Sequence, residues 1–184
     1  MGFYVFDLDG TLADCTHRLA LIRGPRKDWR GFFAACPADR PIAATIGVLR
    51  ALHAAGHRIE VWSGRSDEVR AETEARLVRH GVPAKIPVIM RRAGDRRPDD
   101  VVKREFLGGA GAPDVIFDDR DRVVAMWRAE GIICFQVAPG FLTPAEGTGS
   151  RPLAPNAKSP PAVAEGLFTK VGAGTGFEPV TFRL

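Results

Sequence analysis

The chain contains 184 residues, of which 45% are hydrophobic and 26% are charged, and its formal net charge is +4. This length and composition are typical of a globular protein with one sizeable core. No apolar run approaches the roughly 18 residues of a membrane span, no basic segment precedes the first apolar residues as in a secretory signal, and the three cysteines form no C-x-x-C pair. We therefore expect a cytoplasmic protein with no membrane contact, no disulfide framework and no zinc site.

Five short apolar runs predict β-strands, and helical patterns separate them. The runs cover residues 3–6, 58–62, 87–90, 115–117 and 132–135. Apolar residues recur at helical spacing from positions 42, 69 and 124, and Pro98 suits the first turn of a further helix. This alternation predicts a Rossmann-like α/β fold, with a central parallel sheet of about five strands and helices on both faces.

The chain divides into a predicted domain, an insertion within it and a tail. Residues 1–140 carry all of the predicted elements. Residues 13–40 lie between the first strand and the helix near Pro41, and we expect them to form a small cap, too short to bury a core of its own. Residues 141–184 contain 6 prolines and 6 glycines but no aspartate, which predicts a flexible tail without a catalytic role.

Polar residues follow four of the predicted strands at the point where each strand ends. They are Asp7 and Asp9, Ser63 and Arg65, Arg91 and Arg92, and Asp118 and Asp119. The carboxyl ends of parallel strands meet at one edge of a sheet, and ligands of open α/β sheets bind at that edge. The sequence therefore predicts a functional site there.

Residues 7–12, with the sequence DLDGTL, follow the first strand directly. The Asp7 carboxylate is placed to attack a phosphoryl group and form an aspartyl-phosphate. Asp9 is placed to protonate the leaving oxygen and later to deprotonate water, which requires its acid form to persist near neutral pH. The Thr11 hydroxyl is placed to hold the turn or a phosphate oxygen. An ordinary Asp-Gly turn after a strand is the alternative interpretation.

Two further groups have the chemistry of a phosphate site. Ser63-Gly64-Arg65 ends the second predicted strand and offers a hydroxyl, close backbone and a guanidinium, although a helix-capping loop is an alternative. Asp99 and Lys103 lie four residues apart on one helical face. Asp99 is thus placed to orient Lys103 towards the phosphate and the nucleophile, and a surface ion pair is the alternative.

Asp118 and Asp119 end the fourth predicted strand, next to Asp7 in the predicted sheet. The three carboxylates repel one another unless a cation lies among them. Oxygen ligands without histidine or cysteine favour magnesium. We therefore expect a Mg²⁺ site here, and the alternative is that Asp119 or Asp121 caps the next helix.

In this order, the four motifs resemble those of the haloacid dehalogenase (HAD) phosphohydrolase superfamily. Within this superfamily, three segments are similar to the 3′-phosphatase domain of phage-type bifunctional polynucleotide kinase/phosphatase. They are residues 99–103 (DDVVK), 118–128 (DDRDRVVAMWR) and 136–140 (QVAPG). Arg18, eleven residues after Asp7, and Gly94-Asp95 with the neighbouring arginines match the same domain. The similarity covers about residues 3–141.

The resemblance implies roles for the matching carboxylates. Asp7 would be the nucleophile and a Mg²⁺ ligand. Asp9 would be the general acid/base, and its backbone carbonyl would also bind the metal. Asp118 would ligate the metal and Asp119 would support it.

The resemblance also implies how the substrate would bind. The residues expected at the phosphate or the substrate end are Thr11, Arg18, Ser63, Gly64, Arg65, Asp99 and Lys103. Basic residues after the third strand would meet backbone phosphates, unless they form only a solvated loop: Arg91, Arg92, Arg96 and Arg97. Trp29 and Phe32 are placed to stack on a terminal base or to pack the cap against the core.

These observations predict a Mg²⁺-dependent phosphatase that removes 3′-phosphates from DNA or RNA ends through an aspartyl-phosphate. A cap too short to seal the pocket favours a chain end over free nucleotides or small phosphate esters, which remain an alternative. A non-catalytic module that binds nucleic-acid ends is the alternative of another class. The bifunctional relatives carry a kinase domain before this module, and no G-x-x-x-x-G-K-[ST] loop occurs here, so we expect no kinase activity and a separate kinase or ligase as partner.

Overall fold

Seven strands form two sheets within residues 1–138, the part of the chain that the computed structural model describes. They are β1 (Phe3–Phe6), β2 (Ala13–Asp14), β3 (Arg40–Pro41), β4 (Arg58–Ser66), β5 (Val88–Arg91), β6 (Val115–Asp118) and β7 (Ile133–Gln136). Five strands pair in parallel in the order β5-β4-β1-β6-β7, and β2 pairs antiparallel with β3. The five predicted strands and their parallel arrangement are confirmed, while the predicted tail at 141–184 lies outside the described residues.

Six α-helices connect or flank these strands in the described part of the chain. They are α1 (Ala20–Arg23), α2 (Trp29–Ala34), α3 (Ala43–Ala54), α4 (Arg70–Arg79), α5 (Asp99–Ala110) and α6 (Asp121–Ala129). No side-chain hydrogen bond caps the start of α6, so the interpretation of Asp119 or Asp121 as its cap is wrong. None of the described helices has both the length and the apolarity that crossing a membrane requires.

Helices cover both faces of the parallel sheet, as predicted. Successive residues of a strand point to opposite faces, so the central strand β1 contributes to two cores. Phe6 packs in one core with Leu49 of α3 and Leu77 of α4. Val5 packs in the other with Trp127 of α6. This double burial fixes β1 in the middle of the sheet and presents the residue that follows it at the centre of the carboxyl edge.

The insertion at residues 13–40 contains α1, α2 and two short 3-10 turns, and the β2–β3 pair closes its base. Cys15, Leu19, Ile22 and Phe32 form a separate buried cluster within it. The expectation that the cap has no core of its own is therefore wrong. A large aromatic ring explains the difference, because Phe32 is only 2% exposed and supplies much of the apolar surface that such a short segment can bury.

Candidate active site

The side chains that follow β1 and end β6 meet at the carboxyl edge of the sheet, where Lys103 of α5 joins them. The Nζ atom of Lys103 donates to Oδ1 of Asp7 at 2.6 Å and to Oδ2 of Asp118 at 2.8 Å. All three side chains are buried. Asp7 and Lys103 are 96 positions apart in the chain, so this contact exists only because the sheet places the strand end next to the helix.

Asp99 lies one helical turn before Lys103 and forms an ion pair with it at 3.7 Å. Its carboxylate also accepts a hydrogen bond from Arg91 at 3.0 Å and pairs with Arg120 at 3.2 Å. A Cβ atom at Gly64 would collide with this carboxylate, so glycine is required for the close approach of β4 to α5. The predicted Asp99–Lys103 pair is thus part of the site and not a surface ion pair.

Asp7, Asp118 and Asp119 form a buried cluster in which one carboxylate oxygen of each lies within 4.8 Å of the others. Together with the Lys103 ammonium, the ionised cluster carries an excess of two negative charges. Gly10 turns the chain beside it with φ of +92°, and a Cβ atom there would collide with the Asp119 carboxylate. A set of buried oxygen donors with this excess charge fits a hard divalent cation such as Mg²⁺.

Two cations of the protein, Lys103 and Arg120, interact with this cluster, and the pKa of Asp7 is nevertheless raised. Burial raises the pKa of Asp7 well above its ordinary value; Lys103 opposes the shift, and the charges of Asp118 and Asp119 add to it. Burial disfavours the charged form of Lys103, but Asp118, Asp7 and Asp99 outweigh it and raise the pKa of that ammonium. The lysine therefore stays charged, while the carboxylates gain from any added positive charge.

Asp9 lies in a different environment, between two arginines. Its Oδ1 atom accepts a hydrogen bond from Nη2 of Arg18 at 2.6 Å, and Nη2 of Arg65 donates to the same oxygen. Burial would raise the pKa of Asp9, but the charges of Arg65 and Arg18 outweigh it and lower the pKa to about 2. This direction is opposite to the expectation that the acid form of Asp9 persists near neutral pH.

Arg18 and Arg65, which the sequence indicates as contacts to the substrate end, are each only 1% exposed. Their guanidinium groups bind Asp9 on one side and Asp39 on the other. Arg18 donates to Asp39 through Nε at 2.7 Å and Nη2 at 2.8 Å, and Arg65 donates through Nη2 at 2.7 Å. Arg65 also donates to the hydroxyl of Thr73 at 3.1 Å. The two arginines are therefore placed to hold Asp9.

Asp39 is the member of this network that sequence reasoning missed. It is 3% exposed, its carboxylate lies 2.9 Å from the ring Nε2 of His17, and its carbonyl accepts a hydrogen bond from Nε of Arg76 at 3.0 Å. Its partners lie 21 to 37 positions away in the chain. No local pattern marks the residue, and the only available signal was a lone aspartate at the end of the cap.

The predicted phosphate-binding side chains take different positions. The Oγ atom of Ser63, which is 1% exposed, accepts a hydrogen bond from the backbone N–H of Arg65 at 3.1 Å. Thr11 is fully buried, and its hydroxyl has no hydrogen-bond partner among the described residues. The backbone carbonyl of Gly64 accepts a hydrogen bond from Nε of Arg91 at 2.7 Å. Ser63 thus lies in the wall of the cleft beside Asp7, whereas the buried Thr11 is not among the described residues that line it.

The four arginines at the end of β5 and in the loop that follows it have different surroundings. Arg91 is largely buried and holds the following loop through the carbonyl of Arg97 at 2.7 Å. Arg97 pairs with Asp95 and Glu105. Arg92 and Arg96 are exposed, and neither forms an ion pair within residues 1–138. Only these last two present uncommitted charge to a ligand.

An open cleft of about 1350 Å³ lies at the carboxyl edge of the sheet. Asp7, Ser63 and Lys103 lie in its wall, together with cap residues 27–30, 32 and 33 and loop residues 94–98. The cap therefore borders the candidate site without closing it.

Three features of this site together define the phosphohydrolases of the HAD superfamily. They are a carboxylate directly after the central strand of a Rossmann-like sheet, a lysine hydrogen-bonded to that carboxylate, and paired aspartates at the end of the neighbouring strand. Within that class, residues 2–141 match the family model of the polynucleotide kinase PNKP phosphatase domain. The chain belongs to this family.

Solved structures agree with this assignment. One chain of a Pnkp1/Rnl/Hen1 RNA repair complex is 28% identical, with a TM-score of 0.64, over 77% of this chain and 44% of that one. A second Pnkp1/Rnl/Hen1 complex gives 27% identity and a TM-score of 0.65 over 77% and 47%. The chain thus spans less than half the length of these relatives. The class C acid phosphatase of Bacillus anthracis with tungstate bound shares the fold, at 18% identity and a TM-score of 0.55 over 78% and 69%.

Proposed function

We propose that this chain is a Mg²⁺-dependent phosphatase that removes 3′-phosphates from nucleic-acid ends. The observation that carries the proposal is the buried contact of Lys103 with Asp7 and Asp118 at the carboxyl edge of a polynucleotide kinase phosphatase domain. The likeness to a chain of an RNA repair complex supports a nucleic-acid end as the substrate and favours RNA. The open cleft supports a chain end over a small ester that needs full enclosure.

The chemistry follows from the two carboxylates after β1. An oxygen of Asp7 attacks phosphorus, the bond from phosphorus to the 3′-oxygen breaks, and that oxygen takes a proton from Asp9. Water then attacks the aspartyl-phosphate, Asp9 takes a proton from this water, and inorganic phosphate leaves with Asp7 restored. Lys103 and Ser63 bind the phosphoryl oxygens during both steps.

Asp9 must change its protonation state during this cycle, and the charge of the substrate would drive the change. With a pKa of about 2, it begins as a carboxylate held by Arg18 and Arg65. A phosphate dianion next to Asp9 opposes the charges of the two arginines, which raises the pKa of the carboxyl group towards the range of a proton donor. The substrate would thus prepare its own general acid, whereas the ionised form already suits activation of water.

Asp7, Asp118, Asp119 and the backbone carbonyl of Asp9 would hold the Mg²⁺ ion. The ion would offset the charge of the carboxylate cluster and that of the transferred phosphoryl group. Since the product is a 3′-hydroxyl end, the partner that the proposal implies is a separate ligase that joins this end, or a separate kinase that phosphorylates the 5′ end to which it is joined.

The test compares matched RNA and DNA oligomers that carry a 3′-phosphate with a 3′-mononucleotide and p-nitrophenyl phosphate. We expect phosphate release that needs Mg²⁺, stops with EDTA and is fastest on an oligomer. Asp7→Asn is expected to abolish release, whereas Glu72→Gln, the same change at an exposed position of α4, leaves it intact.

Three results would contradict the proposal. Equal or faster hydrolysis of the mononucleotide would assign the chain to small phosphate esters. Full activity of Asp7→Asn would show that Asp7 is not the nucleophile. If the wild type and Asp7→Asn both bound 3′-phosphate ends and neither hydrolysed any ester, the chain would be an end-binding module.

A further inference from the structure

The cap helix α2 carries three aromatic rings that differ in how far they are buried. Phe32 is 2% exposed and packs under the Arg18 guanidinium, with 4.0 Å from its Cζ atom to the ring centroid. Phe33 packs partly buried against the cap cluster. Trp29 is 45% exposed, although its ring touches Phe32 edge-on at 5.8 Å and Phe33 at 6.0 Å between centroids. Two rings thus support Trp29 from within the cap while much of its surface stays open.

The exposed surface of Trp29 lies in the wall of the candidate active-site cleft. Among the described residues, the other large exposed hydrophobic side chains do not line this cleft. They are Met1, Leu21, Val48, Val78, Ile133 and Phe135. An indole is the largest apolar surface a side chain offers, and this one faces the cleft that holds Asp7 and Lys103. Its exposure is therefore specific to the site.

Several basic side chains line the same cleft as Trp29. Lys27 and Arg30 are exposed, line the cleft and form no ion pair within the described residues. Arg92 and Arg96, which also line the cleft, share this property. An exposed aromatic ring in one cleft with uncommitted cations is the combination that binds single-stranded nucleic acid, because the ring stacks on a base while the cations contact phosphates.

We propose that Trp29 is the stacking platform for the unpaired base of the nucleotide that carries the 3′-phosphate, with Lys27 and Arg30 contacting the adjacent backbone phosphates. This inference rests on the proposed function and deepens it by naming the end that the site selects. Stacking needs an accessible base face, so the site takes single-stranded ends in preference to blunt duplex ends and is tolerant of sequence.

The test measures kcat/KM for wild-type, Trp29→Ala and Trp29→Phe proteins on three substrates. These are a 3′-phosphorylated single strand, the same strand with an abasic 3′-terminal nucleotide, and p-nitrophenyl phosphate. We expect Trp29→Ala to lower the ratio of the first substrate to the third by roughly 5- to 150-fold, mainly through KM. Trp29→Phe is expected to restore most of the ratio, and Val78→Ala, at an exposed hydrophobic residue outside the cleft, to leave it unchanged.

The abasic strand separates stacking from a structural effect on the cap. If Trp29 stacks on the base, its replacement affects the ratio for the abasic strand far less than that for the intact strand. An equal loss on both strands, or no loss on the intact strand, would overturn the inference and leave the proposed phosphatase activity standing.

A binding measurement decides the inference even if the proposed hydrolysis fails or Trp29→Ala does not fold. Trp62 and Trp127 are each 1% exposed, so acrylamide quenching reports on Trp29. In Asp7→Asn protein, a 3′-phosphorylated strand with a terminal base is expected to protect the fluorescence from acrylamide, and the abasic strand is not. Equal protection by both, or by neither, would show that Trp29 does not bind the base.

Discussion

Replacing Asp39 by asparagine tests whether the buried network behind Asp9 is held by charge. Arg18 and Arg65 share two carboxylates, those of Asp9 and Asp39, and both arginine side chains are fully buried. Asp39→Asn keeps the shape of the side chain but leaves two guanidinium groups with one carboxylate. Removal of one partner of a buried ion pair costs about 3–5 kcal/mol, because the remaining charge stays desolvated.

We therefore expect Asp39→Asn to lower the free energy of unfolding by about 3 kcal/mol, which corresponds to a decrease in Tm of about 6–12 °C. Urea denaturation at pH 7 measures the first quantity and calorimetry the second. Glu72→Gln, the same chemical change on the exposed surface of α4, is expected to stay within about 0.5 kcal/mol of the wild type.

A double-mutant cycle assigns the loss to the pair. Combining Asp39→Asn with Arg18→Gln is expected to give a coupling energy of about 1–3 kcal/mol, since the double variant no longer buries the unmatched guanidinium. A loss below about 1 kcal/mol for Asp39→Asn, or additive effects of the two changes, would refute this reasoning. Activity gives a second readout, because a misplaced Asp9 slows release of a 3′-oxygen more than release of p-nitrophenolate, which needs no proton.

The remaining predictions concern the backbone, pH and the metal. Gly64→Ala is expected to lower activity, and to lower the free energy of unfolding by about 1–3 kcal/mol, because its Cβ atom would collide with the Asp99 carboxylate. Gly47→Ala in α3 has open space around the added carbon and is expected to stabilise the protein in the same urea assay. The lowered pKa of Asp9 stabilises the fold above pH 3.8, and about 2 kcal/mol of this stabilisation is lost as the pH falls towards 2. Between pH 5 and 2.5, the free energy of unfolding is therefore expected to fall less for Asp9→Asn than for the wild type. An identical decline would contradict the lowered pKa. Mg²⁺ at one hundred times its Kd is expected to stabilise the wild type by about 2.7 kcal/mol in calorimetry and Asp118→Asn much less; equal shifts would remove Asp118 from the metal site.

The parts of the site that sequence reasoning located depend on rules of topology. Asp7 follows a central strand, Asp118 ends its neighbour, and parallel strands bring both to one edge whatever the details of packing. Lys103 was located by its spacing from Asp99 and by the family resemblance. These residues meet in the structure as predicted.

The parts that sequence reasoning missed depend on tertiary packing. An arginine gives the same sequence signal whether it faces solvent or a buried carboxylate. For Arg18 and Arg65 the partner that decides this is Asp39, which lies 21 and 26 positions away in the chain. The pKa of Asp9 follows from that placement and was expected in the wrong direction for the same reason. The cap core depends on how completely one ring, Phe32, is buried, which spacing alone does not specify.

The most direct test of the central claim is mass spectrometry of acid-quenched protein after reaction with p-nitrophenyl phosphate and Mg²⁺. We predict a phosphoryl adduct on the peptide that contains Asp7, with more of it in Asp9→Asn, where water activation is lost, and none in Asp7→Asn. The account would be contradicted if the wild type released phosphate, no adduct formed in the wild type or in Asp9→Asn, and activity survived Asp7→Asn.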